Sequence, residues 1–159
     1  MCKLLNPDET PEPYNGPIRI GVFNDVHWDP WYDPKVDSGA FCWSYDPFKT
    51  RRNLDAWELL TVPKASYGRF GCDPNKELIR TLMKKMAIDY DIEVVLMNGD
   101  LVGHDVAVKA SWNLNPDQIE QHYNATKDIL KGVSDVVSEL FPDSVVLPSV
   151  GNNDVKFHY

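Results

Sequence analysis

The chain has 159 residues, of which 43% are hydrophobic and 25% are charged, and this composition fits one globular domain or part of one. Its 24 acidic and 16 basic residues give a formal net charge of −8, so bulk charge disfavours nucleic acid and anionic lipid as partners. Every apolar run is far shorter than the roughly 18 residues that cross a bilayer, so we expect no transmembrane segment.

Residues 1–16 are rich in Pro, Asp, Glu and Asn and have no hydrophobic period, which predicts an extended leader. The first residues lack the apolar stretch of a signal peptide, and this leaves export open. We expect one ordered domain over residues 17–159, beginning with a buried strand over Ile18–Phe23. Asp25 and His27 follow this strand and are expected at its carboxyl end.

The segment from Trp28 to Asp73 lacks a helical or strand period and is too long for an idle connection, so we expect a functional or covering loop. A short helix over Asn53–Leu60 is expected within it. Cys42 and Cys72 also lie there, and the sequence leaves open whether they form a disulfide or stay free thiols. The aromatic residues of the loop are expected to pack it, with a substrate wall as the alternative; they are Trp28, Trp31, Tyr32, Phe41, Trp43 and Tyr45.

Asp73 as the N-cap and Pro74 in the first turn predict an amphipathic helix over residues 74–90. The apolar run Glu93–Met97 predicts a second strand, which ends in Asn98-Gly99-Asp100. The second carboxylate is therefore also expected at the end of a strand.

Asn115 is the predicted N-cap of a long helix, with Pro116 in its first turn and Gln118 completing a capping box. His122 is expected on the exposed side of this helix. A third strand over Val145–Val150 then leads into Gly151–Asp154. The expected apolar face of the helix comprises Ile119, Tyr123, Thr126, Leu130, Val133, Val137 and Leu140.

Alternating strands and helices predict an α/β fold made of parallel β-α-β units, in which ligands bind at the carboxyl ends of the strands. Asp25 and His27 alone arise by chance in many chains, where they form a surface turn or a strand cap. Asp100 and Asn152 at two further strand ends favour a shared cation site instead. Mixed oxygen and nitrogen ligands suit zinc, iron or manganese, and a carboxylate can bridge two cations.

Three motifs at strand ends, in this order, resemble those of the calcineurin-like metallophosphoesterase superfamily: Asp25-Val26-His27, Gly99-Asp100 and Gly151-Asn152-Asn153-Asp154. Three further stretches resemble the acid sphingomyelinase-like phosphodiesterases, namely Trp28–Pro34, Tyr67–Asp73 and Gly99–Asp105. The resemblance covers about residues 17–154 and implies the N-terminal half of the calcineurin-like phosphoesterase sandwich, with metal ligands at the carboxyl ends of the strands.

This resemblance implies a hydrolase that cleaves a small-molecule or lipid phosphodiester with two divalent transition metals, zinc first and manganese or iron as alternatives. Asp25 and His27 would bind the first metal, Asp100 would bridge both, and Asn152 would bind the second. In the family the two cations activate a bridging hydroxide for in-line attack. His104 matches a family histidine near the leaving group and would act as general acid; without the family, a structural loop histidine is the alternative.

Two departures from the family pattern bear on activity. Asn153 stands where the family has a histidine, and an amide can orient a phosphate oxygen but cannot deliver a proton at neutral pH. The remaining family histidines lie well downstream, and His158 comes too early to replace them. The alternatives are therefore a catalytically impaired pseudoenzyme that binds metal without turnover, or a half-domain with an apolar face and an unpaired edge, completed by a second chain or by a missing C-terminal half.

The resemblance also implies a secreted or lysosome-like location. Asn124-Ala125-Thr126 is a glycosylation sequon, which adds a little weight to an oxidising, secretory setting and makes Asn124 the candidate glycosylation site.

Overall fold

The computed structural model describes residues 16–38, 42–44, 63–104, 106 and 113–155. In this part of the chain, three strands and two helices alternate, and a short 3-10 helix follows the last strand. The elements are β1 (Ile20–Phe23), α1 (Lys76–Asp89), β2 (Val94–Asn98), α2 (Pro116–Leu140), β3 (Val145–Ser149) and the 3-10 helix (Asn152–Asp154). The expected α/β class is confirmed, whereas the leader and the short helix over Asn53–Leu60 lie outside the described residues.

The sheet is parallel, as predicted, with β2 in the centre and the order β1-β2-β3. Side chains alternate between the two faces of a strand, so the paired registers define which residues share a face. The first face carries Gly21, Phe23, Val95, Met97, Val146 and Pro148. The second face carries Ile20, Val22, Val94, Leu96, Val145 and Leu147.

Both helices pack on the first face. The main hydrophobic core joins Met83 of α1 and Val133 of α2 to Val95 and Met97 of β2. Crossovers of one hand that advance in one direction across a sheet place their helices on the same side, which accounts for this arrangement. On the second face, Ile20, Val22, Val145 and Leu147 are each 48% to 58% exposed. The prediction that the first strand is buried is therefore wrong for Ile20 and Val22, because no described element packs on this face. Within the described residues, that face is therefore apolar and bare.

The first helix begins later than predicted. Its N-cap is Asn75, whose Oδ1 accepts a hydrogen bond from the backbone N–H of Leu78 at 2.9 Å. The prediction that Asp73 is the cap is wrong: its Oδ2 accepts a hydrogen bond from the backbone N–H of His104, and its Oδ1 lies 2.8 Å from the ring Nδ1 of the same residue.

The second helix begins as predicted, with Asn115 and Gln118 forming a reciprocal capping box. The prediction that His122 is exposed is wrong: this side chain is fully buried, and its Nδ1 lies 2.5 Å from the carbonyl oxygen of Val106. The chain after β2 folds against α2 at this point, and the buried face is rotated relative to the expected one. Its members are His122, Thr126, Ile129, Val133, Val136 and Val137.

Trp28 joins the chain after β1 to α2. A Cβ atom on Gly132 would collide with the indole ring of Trp28, so only glycine leaves room for this contact within α2. A disulfide between Cys42 and Cys72 further ties the loop, which settles the choice that the sequence left open. None of the described helices combines the length and apolar character needed to span a bilayer.

Candidate metal centre

Three side chains at the carboxyl edge of the sheet converge into a group that can hold a metal ion. Asp25 and His27 follow β1, and Asp100 follows β2; each offers a ligand atom, and these atoms all lie within 4.8 Å of one another. The sequence predicted these three residues at one edge, and the structure brings them together.

The backbone at all three positions is strained. The φ angles of Asp25, His27 and Asp100 are 48°, 45° and 48°, in the left-handed region that side chains with a Cβ seldom adopt. Only Cys42 shares this feature among the other non-glycine residues that the structure describes. Such conformations cost of order 1–3 kcal/mol each and persist where a functional site requires them. The strain therefore marks the same three residues that the ligand geometry selects.

Backbone pairing continues beyond the strands and sets the relative position of the ligands. The N–H of His27 donates to the carbonyl oxygen of Asp100 at 2.9 Å, and that of Trp28 donates to Leu101 at 2.8 Å. Gly103 returns a hydrogen bond to the carbonyl of Trp28 at 3.0 Å. The two ligand-bearing loops are thus held in register, so the metal group does not depend on side-chain packing alone.

The His27 imidazole has the arrangement of a metal-binding histidine. Its Nδ1 lies 3.1 Å from the carbonyl oxygen of Val102, to which it can donate, and its Nε2 lies 3.8 Å from Oδ1 of Asp25. A hydrogen bond from one ring nitrogen to a carbonyl orients the other nitrogen as a ligand, as metal-bound histidines usually do. The residues present therefore fit a divalent cation.

The turn after β3 supports this group from the other side. The backbone N–H of Asn153 donates to Oδ1 of Asp100 at 2.9 Å. A Cβ on Gly99 would collide with Gly151, and one on Gly151 would collide with Asp100, so two glycines allow the loops after β2 and β3 to touch.

Asp154 closes the same turn and was not recognised as a separate structural residue from the sequence. It is buried, and its Oδ1 accepts hydrogen bonds from the N–H groups of Leu101 and Val102 at 2.7 and 3.0 Å. Its Oδ2 accepts from Gly151 at 3.0 Å. A carboxylate engaged in this way holds the loops together, and its oxygens are already occupied.

The two asparagines expected near the metals differ in burial. Asn152 is exposed at the start of the 3-10 helix. Asn153 is 2% exposed, and within the described part of the chain its Oδ1 has no hydrogen-bond partner. A buried oxygen without a donor is costly, so this position favours a cation or a hydrogen-bond donor close by. The role of Asn152 as a metal ligand stays a prediction.

His104 lies beside the metal group, where the sequence predicted it. Its ring stacks on that of His27 with centroids 3.9 Å apart and planes inclined by 19°. It also borders a cavity of about 420 Å³ that reaches Trp43, Cys72 and Asp73. There is therefore open space next to this imidazole.

The described aromatic residues of the long loop pack it, as expected. The rings of Trp31 and Trp43 meet edge to face at 5.3 Å, and buried Asp29 accepts hydrogen bonds from the backbone of Trp31 and the indole of Trp43. Tyr32 donates to the carbonyl of Ala65 at 2.7 Å, and burial raises the pKa of its hydroxyl. Phe41 and Tyr45 lie outside the described residues.

Asn124 is exposed on α2 beside a second cavity, which Trp28 and Trp31 also line. Its glycosylation stays a prediction. Comparison of the whole chain with models of protein families finds no match, and comparison with curated proteins finds none either. The family resemblance therefore depends on the sequence motifs alone.

Proposed function

We propose that this chain is a metal-dependent phosphoesterase that hydrolyses a phosphodiester and resembles the acid sphingomyelinase-like enzymes. The observation that carries the proposal is the convergence of Asp25, His27 and Asp100, all three in left-handed conformations, at the carboxyl edge of a parallel sheet.

Charge supports a cation in this reaction. Two carboxylates converge here in a chain of net charge −8, and without a cation they would repel an anionic phosphodiester. Their oxygens and the imidazole nitrogen suit zinc, manganese or iron. A bound divalent cation supplies charge that polarises a phosphoryl oxygen and lowers the pKa of water. We propose that Asp100 would bind the first cation and also a second one, for which Asn152 would be another ligand.

His104 is the proposed general acid. Its ring lies against His27, so a phosphate held at the metal group would place one ester oxygen within reach of it. A hydroxide ion derived from water forms a new P–O bond, and the P–O bond to the leaving group breaks. The N–H bond at Nε2 of His104 breaks at the same step, and its proton passes to the leaving alkoxide, which leaves a phosphomonoester. The product is a neutral alcohol. Asn153 can only contribute hydrogen bonds at this step.

A second candidate function is metal binding without turnover. Asn153 stands where the resembled family has a histidine. It is buried beside Asp100, so a movement of its side chain cannot bring an acidic group to this position.

We also propose that further polypeptide, from a second chain or a C-terminal continuation, covers the bare sheet face. A secreted or lysosome-like location is proposed as well, and the disulfide between Cys42 and Cys72 is compatible with it.

The test compares purified chain, Asp100→Ala and a matched control, Asp143→Ala, whose carboxylate is exposed after α2. Each protein is given zinc or manganese and a generic aryl phosphodiester, and bound metal is measured by elemental analysis. The phosphoesterase proposal expects hydrolysis by the parent and the control only. Metal uptake at background rates supports the second candidate, for which Asn153→His should restore turnover only when downstream ligands are supplied. If the parent protein neither binds metal nor hydrolyses the substrate, both candidate functions are contradicted.

A further inference from the structure

Asp73 contacts His104 through both of its carboxylate oxygens. Its Oδ2 accepts a hydrogen bond from the backbone N–H of His104 at 2.6 Å, and its Oδ1 lies 2.8 Å from the ring Nδ1. Two contacts to one residue fix both the position of its backbone and the rotation of its ring. Asp73 is thus bound to the backbone and to the imidazole of the same histidine.

The ring of His104 is held by these contacts and not by burial. Its side chain is 56% exposed, whereas that of Asp73 is 22% exposed. One face of the ring lies on His27 and one edge meets Asp73. The nitrogen left to meet a substrate is therefore Nε2.

Asp73 is itself anchored by its surroundings. The preceding residue, Cys72, is bridged to Cys42, and the following residue, Pro74, accepts a backbone hydrogen bond from Asp29 at 2.9 Å. A Cβ on Gly103 would come within 3.1 Å of Oδ2 of Asp73, so the absence of a side chain there permits the close approach. The disulfide and this backbone hydrogen bond therefore fix the segment that holds the Asp73 carboxylate next to His104.

We propose that Asp73 is the positioning residue for His104: it keeps a proton on Nδ1 and so directs Nε2 toward the metal centre and the substrate. The proposal builds on the function given above: the acid is the imidazolium form of His104, with a proton on each nitrogen, and its Nε2–H proton passes to the leaving alkoxide. The ring that remains is the neutral Nδ1–H form, still hydrogen-bonded to Asp73, so the only bond broken on the ring is N–H at Nε2.

A single substitution makes opposite predictions for the two ring nitrogens. In Asp73→Asn the backbone N–H of His104 still needs an acceptor, so the amide oxygen faces the backbone and the NH₂ group faces Nδ1. An NH₂ group can only donate, and Nδ1 must then accept. The proton is therefore expected on Nε2 in this variant and on Nδ1 in the parent protein.

The experiment reads the tautomer directly, without any substrate. Metal-free protein labelled with ¹⁵N-histidine is examined by long-range ¹H–¹⁵N NMR at about pH 9, where an ordinary imidazole is neutral. The parent, Asp73→Glu and the control Asp143→Asn are expected to show the Nδ1–H form of His104, and Asp73→Asn the Nε2–H form. His27, whose Nδ1 lies 3.1 Å from the carbonyl oxygen of Val102, serves as an internal reference and is expected to keep the Nδ1–H form in every variant.

An Nε2–H form in the parent protein would overturn the proposal even if Asp73→Asn failed to fold. The same tautomer in the parent and in Asp73→Asn would also overturn it. In hydrolysis, Asp73→Asn is expected to lower kcat roughly 100-fold and to leave KM within about twofold, as for the loss of an oriented general acid. Absence of hydrolysis in every protein, with the tautomer inverted as expected, would sink the proposed function while leaving the positioning role intact.

Discussion

β2 and β3 are parallel neighbours of equal length and similar apolar sequence, yet their environments differ. In β2, Val95 is fully buried and Met97 is 3% exposed, whereas all five residues of β3 are exposed. β2 has a strand on each side and both helices above it, and β3 lies at the edge. The contrast teaches that an apolar strand sequence predicts a strand, while its burial depends on what packs against it.

The residues that follow the two strands also differ in their roles. β2 leads into Asp100, a member of the metal group, and β3 leads into a turn whose carboxylate, Asp154, is used to hold backbone N–H groups. The β3 end therefore braces the ligands that the β1 and β2 ends supply. Three predictions test this contrast, and a fourth, with the smallest expected effect, tests the ion pair between the two helices.

Val95→Lys should abolish folding, because it places an unpaired charge in the core, whereas Leu147→Lys should leave the melting temperature within about 3 °C. Leu147 lies on the bare sheet face and is 53% exposed, so its replacement should also reduce self-association. Circular dichroism melts and size-exclusion chromatography measure both effects. A collapse of stability in Leu147→Lys would mean that the face is already covered within the isolated chain.

Asp154→Ala should lower the free energy of unfolding by about 3 kcal/mol, because backbone N–H groups on both sides of the turn lose a charged acceptor. Urea denaturation measures this loss, with Asp143→Ala as the exposed control. A change no larger than in the control would show that the β3 turn does not brace the site.

Asp100→Asn should weaken binding of zinc or manganese roughly 100-fold, or about 2.7 kcal/mol, since it removes a charged ligand and keeps the side-chain shape. Isothermal titration calorimetry compares it with Asn152→Ala. If Asn152→Ala had the larger effect, the β3 end would supply the principal ligand, and the contrast between the two strand ends would be reversed.

Glu139→Gln should have the smallest effect. Its carboxylate pairs with Arg80 across the two helices, and the hydrogen bond from Arg80 lowers the pKa of Glu139. A lowered folded-state pKa stabilises the protein above the unfolded pKa, and this contribution disappears as pH falls through the folded-state value. Parent and variant should therefore differ slightly in urea midpoint at about pH 7 and converge once the pH falls below the lowered pKa of Glu139. A difference that grew in acid would contradict this sign.

Local sequence signals predicted the elements well. The capping box of Asn115 and Gln118 and the apolar runs of the three strands depend on neighbouring residues, and each lies within two residues of its predicted bounds. The metal group was predictable because parallel strands bring their carboxyl ends to one edge.

The predictions that were wrong involve partners far along the chain. The buried His122 contacts a carbonyl oxygen 16 residues away, and Asp73 bonds to a histidine 31 residues away instead of capping the helix. The two hydrogen bonds that Asp154 accepts from the loop after β2 span 52 and 53 residues. Such contacts depend on how loops meet in space, and no periodic pattern encodes them.

The packing of Trp28 against Gly132 couples α2 to the metal group. The indole stands where a methyl group on α2 would stand, and its own backbone is bonded directly to that of His27. Tightly packed interiors transmit displacement. A slide of α2 along its axis would therefore displace the residue that adjoins a candidate metal ligand, and a molecule bound to the outer surface of this helix would restrict the motion of the metal group from a distance.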